Sequence, residues 1–370
     1  MPIQTLQVQQ LKLTNYKNYT FQHFVFGDKL NFIVGKNGIG KTTLLDAIYY
    51  TCFTKSYLTS SDILATNFDS VFFRIETNLT LQSDNQLVEV KYLKQEKKEI
   101  LLNNAKIERL TDFVGQFPCV IITPDDNQFI IGTSELRRKF LDATISQFSA
   151  PYLQQLMLYN KIITQRNAYL KSCFEHRNYD SSLLEIYNQQ LVQAGNFVFN
   201  ARKQFIHRFI PIFHEVYHRI FNGNEQVQIR YESDLNDNDF EILLRNNENQ
   251  DRQAQRTTRG IHTDDLVFEL NQFPIRKTGS QGQQKTFLLS LKLAQYQIIQ
   301  SEKQIQPLLL LDDIFDKLDT ERIAKIFQLI HENSIGQVFI SDTDIKRIQD
   351  IINTHSITQY NIIQLGETAK

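Results

Sequence analysis

Three clusters of residues carry chemistry by their types and spacing. Gly35, Gly40, Lys41 and Thr42 complete G-x-x-x-x-G-K-[ST] within GKNGIGKTT. In that pattern the glycines let backbone N–H groups curl around an anion at a helix N-terminus, the lysine reaches the β and γ phosphates, and the hydroxyl reaches magnesium. The stretch expected to hold ATP is Gly35, Lys36, Asn37, Gly38, Ile39, Gly40, Lys41, Thr42 and Thr43. Asp312 and Asp313 follow four leucines, Leu308 to Leu311. Asp312 would share Mg2+ with Thr42, and Asp313 would orient and polarise the attacking water, a catalytic role in hydrolysis. The third cluster, HEVYH at His214–His218, fits the zinc-protease pattern H-E-x-x-H, in which paired histidines bind metal and the glutamate acts as base.

These patterns carry unequal weight. Under uniform composition the phosphate-loop pattern arises about once in 80,000 windows, whereas H-E-x-x-H turns up in roughly one chain in twenty of this length. Context separates them further. LNFIV reads as a short apolar strand before the glycine turn, and Leu44, Leu45 and Ile48 recur at helical spacing after it. LLLL reads as a strand buried on both faces that delivers the two carboxylates to a sheet edge. FIPIFHEVYHRIF, by contrast, is an amphipathic helix whose histidines neighbour Arg208 and Arg219, a cationic setting that disfavours zinc.

Most of the chain separates the two carboxylates from the phosphate loop, which argues against compact kinases and GTPases. From Glu135 to about Asn222 helical spacing dominates, as in Leu153, Leu156, Tyr159 and Ile163, and the segment is read as a helical arm. Over 161–219, lysines and arginines including Arg166 and Arg202 outnumber the acids, and Arg137, Arg138 and Lys139 lie just upstream. A basic face for DNA phosphates and a merely solvated helix face are both open readings. NNENQDRQAQRTTRG, Asn246 to Gly260, lacks periodicity and reads as an exposed connection. After it, TGSQGQQ is a small polar turn before a helix carrying Phe287, Leu288, Leu291 and Ile298, and an uncovered helix start of this kind suits a phosphate.

Composition sets outer limits. Apolar residues at 41% and charged residues at 22% describe an ordinary globular chain, and a net charge of −1 gives no bulk attraction to nucleic acid. No apolar run approaches the ~18 residues of a membrane span, and the start lacks a basic then apolar leader, so a cytoplasmic protein without membrane contact is expected. Cys52, Cys119 and Cys173 sit among apolar neighbours and read as core thiols.

GKNGIGKT, SQGQQ and LLLLDD together resemble the head of ABC-type ATPases of the SMC class. More narrowly the chain resembles the RecF family along nearly its whole length, through LTNYKNYTF, KSYLT, ITPDDNQFIIGTSELRRKFLD, YNKIITQRNAYLK, GIHTDDLVFEL and QVFISDTD. It departs from the family pattern at Lys17, Ser134, Ile261 and Thr263. The resemblance implies an α/β fold, an ABC-type P-loop ATPase head of SMC-like form with an inserted α-helical arm domain. Residues 1–134 would form the N-terminal lobe, 135–225 the arm, and 226–370 the C-terminal lobe. It further implies that Ser280, Gly282 and Gln283 form a signature that closes on the ATP of a second copy, giving an ATP-dependent homodimer released by weak, DNA-stimulated hydrolysis. Asp316–Asp319 would cross that interface, and Ser341 to Thr343 would stand near the γ phosphate. The implied role is recombinational repair and replication-fork maintenance at gaps, on double-stranded DNA and single-strand to double-strand junctions, with a RecR-type mediator. A transporter ATPase subunit is the alternative, and a zinc protease a remote third.

Overall fold

The computed structural model describes residues 3–176, 179–221, 225–315, 320–332 and 335–366, so the expected interface segment Asp316–Asp319 lies outside the described residues. The chain divides into two compact units, 1–126 with 219–221 and 285–370, and 127–218 with 222–284. Residues 226–284, expected in the C-terminal lobe, thus group with the helices of the arm.

The first unit holds two sheets. One is all parallel, in the order Tyr360–Gln364, Leu30–Val34, Val338–Asp342, Leu308–Leu311, Cys119–Ile122. Leu30–Val34, Leu308–Leu311 and Val338–Asp342 are buried at every residue, so their apolar residues do not alternate with exposed polar ones, and Asn31, Ser341 and Asp342 are buried with them. The second sheet, mostly antiparallel, is built on the long strand Gln4–Tyr16, which pairs with Tyr19–Val25 and with Phe72–Leu81 and also runs parallel to the short Ile305–Gln306. The helix Lys41–Phe53 packs against strands of both sheets. Its buried residues, from Lys41 and Leu44 through Phe53, therefore occupy every face, and burying side chains such as Leu44, Leu45 and Ile48 contributes ~1.5–3 kcal/mol each.

The second unit joins the helices Ser134–Ile145, Ala150–His176 and most of Ser181–Ile220 to a small antiparallel sheet of Val227–Glu232, Asp265–Leu270 and Phe273–Pro274. Three of the arginines read as part of a basic face, Arg137, Arg166 and Arg202, are internal. Arg137 makes a paired contact with Asp265, Nε to Oδ1 at 2.7 Å and Nη2 to Oδ2 at 2.9 Å. Arg202 donates to Asp142 and Asp264, each at 2.8 Å, and to the Ile261 carbonyl. Arg166 and Asp251 are both wholly buried, with Nη1 to Oδ2 at 2.7 Å, and Arg166 also donates to Asn188 and Thr257. A buried guanidinium needs such partners, and these carboxylates come from segments distant in sequence. Lys161, Lys171, Lys203 and Arg208 remain exposed. The stretch expected as an exposed connection instead contains the helix Glu248–Ala254, which places Asp251 in the core.

Of the three cysteines, Cys52 and Cys119 are buried and Cys173 is half-buried. Among the described residues no helix is long and apolar enough to cross a membrane.

Candidate active site

At the carboxyl ends of the parallel strands the loop and the carboxylates converge, as the switch-point rule for such sheets requires. Val338–Asp342 lies between the loop strand and the leucine strand and aligns Val34 with Asp342 and Leu311 with Ile340. Asp312 is thereby a lateral neighbour of Ser341, whose hydroxyl donates to Asp312 Oδ1 at 2.7 Å. Thr42 Oγ1 donates to the same oxygen at 3.1 Å. The pairing of threonine and aspartate expected at a metal site is therefore present in the fold itself.

Burial pushes the Asp312 carboxyl above its ordinary value; the Ser341 and Thr42 hydroxyls pull it back, Asp313 raises it again and Lys41 lowers it. A carboxylate whose charged form is disfavoured by burial gains from a cation beside it. Asp313 has a left-handed backbone, φ +43°, and its N–H donates to Ser341 Oγ at 2.8 Å. That hydroxyl is thus engaged by both carboxylate residues, which ties Ser341 to the acidic pair rather than leaving it free to face a phosphate.

The loop around Lys41 has the features of an anion cradle. Lys41 is only 4% exposed, and its ammonium donates to the carbonyls of Gly35 at 2.9 Å and Lys36 at 3.2 Å. The helix Lys41–Phe53 starts from Gly40 without a side-chain cap, so its first N–H groups stay available. Gly40 sits at φ +119°, and a Cβ there would meet Tyr19 and Asn18 at 2.7 Å, so only glycine fits. Lys17, Asn18, Asn37, Gly38, Gly40, Lys41, Thr42, Thr43 and Asp313 surround a cavity of about 320 Å³. Uncapped donors, a buried lysine and a paired hydroxyl and carboxylate fit a nucleotide phosphate chain with Mg2+.

Lys17, Asn18 and Tyr19, within LTNYKNYTF, received no part in the site from motif reading, yet Lys17 and Asn18 border the loop cavity and Asn18 and Tyr19 bond the loop. They form the tip of the hairpin between Gln4–Tyr16 and Tyr19–Val25. Asn18 Nδ2 donates to the Ile39 carbonyl at 3.1 Å, and Tyr19 Oη donates to that of Gly40 at 3.2 Å. Asp46, wholly buried in the loop helix, accepts from the Lys17 ammonium at 2.6 Å, from the hydroxyls of Tyr16 and Ser56, and from the Tyr57 N–H. LTNYKNYTF and KSYLT, distant in sequence, meet on this carboxylate.

Ser280, Gly282 and Gln283 lie in the second unit, at the start of the helix Gln281–Lys303. His214 and His218 are one turn apart on Ser181–Ile220 and line a cavity of about 750 Å³ with Glu225, Gln228 and Gln272. Burial and the neighbouring His218 lower the His214 pKa. Among the described residues no group of three His, Cys, Asp or Glu is placed to hold a metal.

The family model described as RecF/RecN/SMC N terminal domain matches residues 7–362. The DNA replication and repair protein RecF of Flavobacterium johnsoniae is 43% identical over 97% of this chain and 100% of its own length. That of Parabacteroides distasonis is 38% identical over 93% of each. A solved structure of the recombination mediator protein RecF with ATP, from the RecFOR pathway, superposes with a TM-score of 0.85 at 28% identity, covering 92% of both chains. The Smc head domain of Pyrococcus furiosus shares the fold at 16% identity with a TM-score of 0.53. The family match over most of the chain and the identity with these relatives lead to one conclusion: the chain belongs to the RecF family.

Proposed function

We propose that this protein is an ATP-dependent DNA-binding protein of recombinational repair and replication-fork maintenance, in which ATP joins two copies and hydrolysis releases them. The observation that carries the reading is the convergence of Lys41, Thr42, Asp312 and Asp313 at one sheet edge. Bound magnesium would neutralise phosphate charge and polarise the bond that breaks. Thr42 and Asp312 would hold that ion, while Ser341 keeps Asp312 oriented. Lys41 moves its donors from the loop carbonyls to phosphate oxygens, and Asp313 accepts a hydrogen bond from the attacking water. Asn18 and Tyr19 brace the loop from the hairpin tip.

Ser280, Gly282 and Gln283 serve the second copy's nucleotide, which makes hydrolysis slow in the isolated chain and faster once DNA favours pairing. The DNA taken is duplex beside a single-stranded gap, with a RecR-type mediator as partner and the cytoplasm as the compartment. Lys161, Lys203 and Arg208 are exposed and supply phosphate contacts blind to sequence. ATP hydrolysis measured with and without gapped duplex DNA tests the reading. Several-fold stimulation is expected, and turnover indifferent to DNA would instead suit a transport-type ATPase.

A further inference from the structure

The turn that opens the helix Gln281–Lys303 is held by two devices. Ser280 is its N-cap, and Gln283 stands three residues on. The Gln283 N–H donates to Ser280 Oγ at 3.3 Å, and the Ser280 N–H donates to Gln283 Oε1 at 2.7 Å, a reciprocal capping box. This use of the amide oxygen fixes which way the Gln283 side chain points. Its amide nitrogen then donates to Glu225 Oε1 at 2.7 Å. The other oxygen of Glu225 accepts the Tyr217 hydroxyl at 2.5 Å, from the long helix Ser181–Ile220. One half-buried carboxylate therefore joins the turn to that helix through two charge-assisted hydrogen bonds.

We propose that Glu225 is a positioning residue for the ATP-dependent pairing of two copies, setting the Ser280–Gln283 turn from the long helix through Gln283 and Tyr217. The inference rests on the reading of that turn as the one that meets a second copy's ATP. Ser280 is exposed and Gly282 and Gln283 are only half-buried, so core packing does little to hold the turn in place. Freed from Glu225, the Gln283 amide can leave Ser280, and the cap loosens where the phosphate must be met. Glu225 also borders the cavity lined by His214 and His218, so a change in the long helix there reaches the turn by one residue.

The test compares Glu225→Ala, Glu225→Gln and Tyr217→Phe in the full chain, with ATP as the probe. Light scattering follows dimer formation, a fluorescent ATP analogue reports nucleotide binding at protein concentrations too dilute to pair, and thermal unfolding reports stability. Glu225→Ala is expected to weaken ATP-dependent dimerisation about tenfold with nucleotide binding and unfolding temperature unchanged. Glu225→Gln, which still offers Gln283 an acceptor, and Tyr217→Phe should lose less. Dimerisation equal to the parent protein's, or a loss matched by lower thermal stability, would overturn the positioning role. Ser280→Arg separates the two levels. If it too pairs normally with ATP, the composite-site reading falls, whereas if it abolishes pairing and Glu225→Ala does not weaken it, only the role of Glu225 falls.

Discussion

Replacing Arg166 by methionine is expected to destabilise the helical unit without changing how DNA binding responds to salt. The guanidinium and Asp251 are both wholly buried, with Nη1 to Oδ2 at 2.7 Å, and Arg166 also donates to Asn188 at 3.0 Å and Thr257 at 2.8 Å. Methionine keeps most of the volume but leaves the Asp251 carboxylate facing an apolar side chain, with hydrogen bonds remaining from Thr258. Removing one member of a buried pair costs ~3–5 kcal/mol, most of it the penalty for the charge left behind. At a urea dependence of ~3 kcal/mol per molar, that moves the unfolding midpoint down by about 1–2 M. Circular dichroism of urea unfolding reads this shift, and the paired replacement Arg166→Met with Asp251→Leu should recover much of it because no charge remains. If Arg166 were instead a phosphate contact, the midpoint would hardly move and the salt slope of DNA affinity would fall by about one unit. That result would refute the reasoning, and with it the reading of the arm's buried arginines as structural.

Lys41→Ala is expected to abolish both ATP binding and ATP-dependent dimerisation, seen in nucleotide titration and light scattering, since it removes the cation at the centre of the cradle. Asp313→Asn should slow turnover at least a hundredfold while leaving an ATP-bound dimer that elutes early in gel filtration, because the Thr42–Asp312 pair proposed to hold magnesium is untouched. The pH dependence of stability should carry the signature of His262. Burial lowers its pKa from 6.5 to about 4, and its ring bonds Tyr159 Oη at 2.8 Å and the Thr257 carbonyl at 3.1 Å. The unfolded chain takes up this proton near pH 6.5 and the folded chain only near 4. Stability is therefore lost as pH falls through that window, by roughly 2–3 kcal/mol, and His262→Gln should flatten the slope in thermal unfolding.

What could be read from the sequence follows its local physics. Leu30–Val34 and Leu308–Leu311 were legible as strands because both faces are buried and apolar residues dominate them, with Asn31 the one polar residue of the two. The loop was legible because glycine, lysine and threonine are demanded by a backbone task at fixed offsets. The arm's charges were not, since an arginine has the same letter whether it faces solvent or an aspartate from another segment. Arg166 and Asp251 meet only once the helices pack, and nothing in the Asn- and Gln-rich stretch around Asp251 sets it apart from its exposed neighbours. The hairpin tip escaped for the same reason. Asn18 and Tyr19 reach the loop through backbone carbonyls, which leave no trace in residue type. Ser341 was legible as a position of interest, but its commitment to Asp312 and Asp313 depends on strand order.

The neighbours of the loop strand have a consequence for how the protein is made. Leu30–Val34 leaves the ribosome well before both of its partners, Val338–Asp342 and Tyr360–Gln364, from which it is separated by most of the chain. At ~5–20 residues per second, roughly 15–60 s of synthesis separate the loop from the strands that hold it. During that interval the loop strand, with its run of apolar side chains, is an unpaired strand with two open edges, the kind of segment that chaperones cover. The strand that carries the phosphate loop gains its two sheet neighbours only once Val338–Asp342 and Tyr360–Gln364 have been made. A substitution that weakens the pairing of Tyr360–Gln364 with Leu30–Val34 is expected to lengthen that exposure.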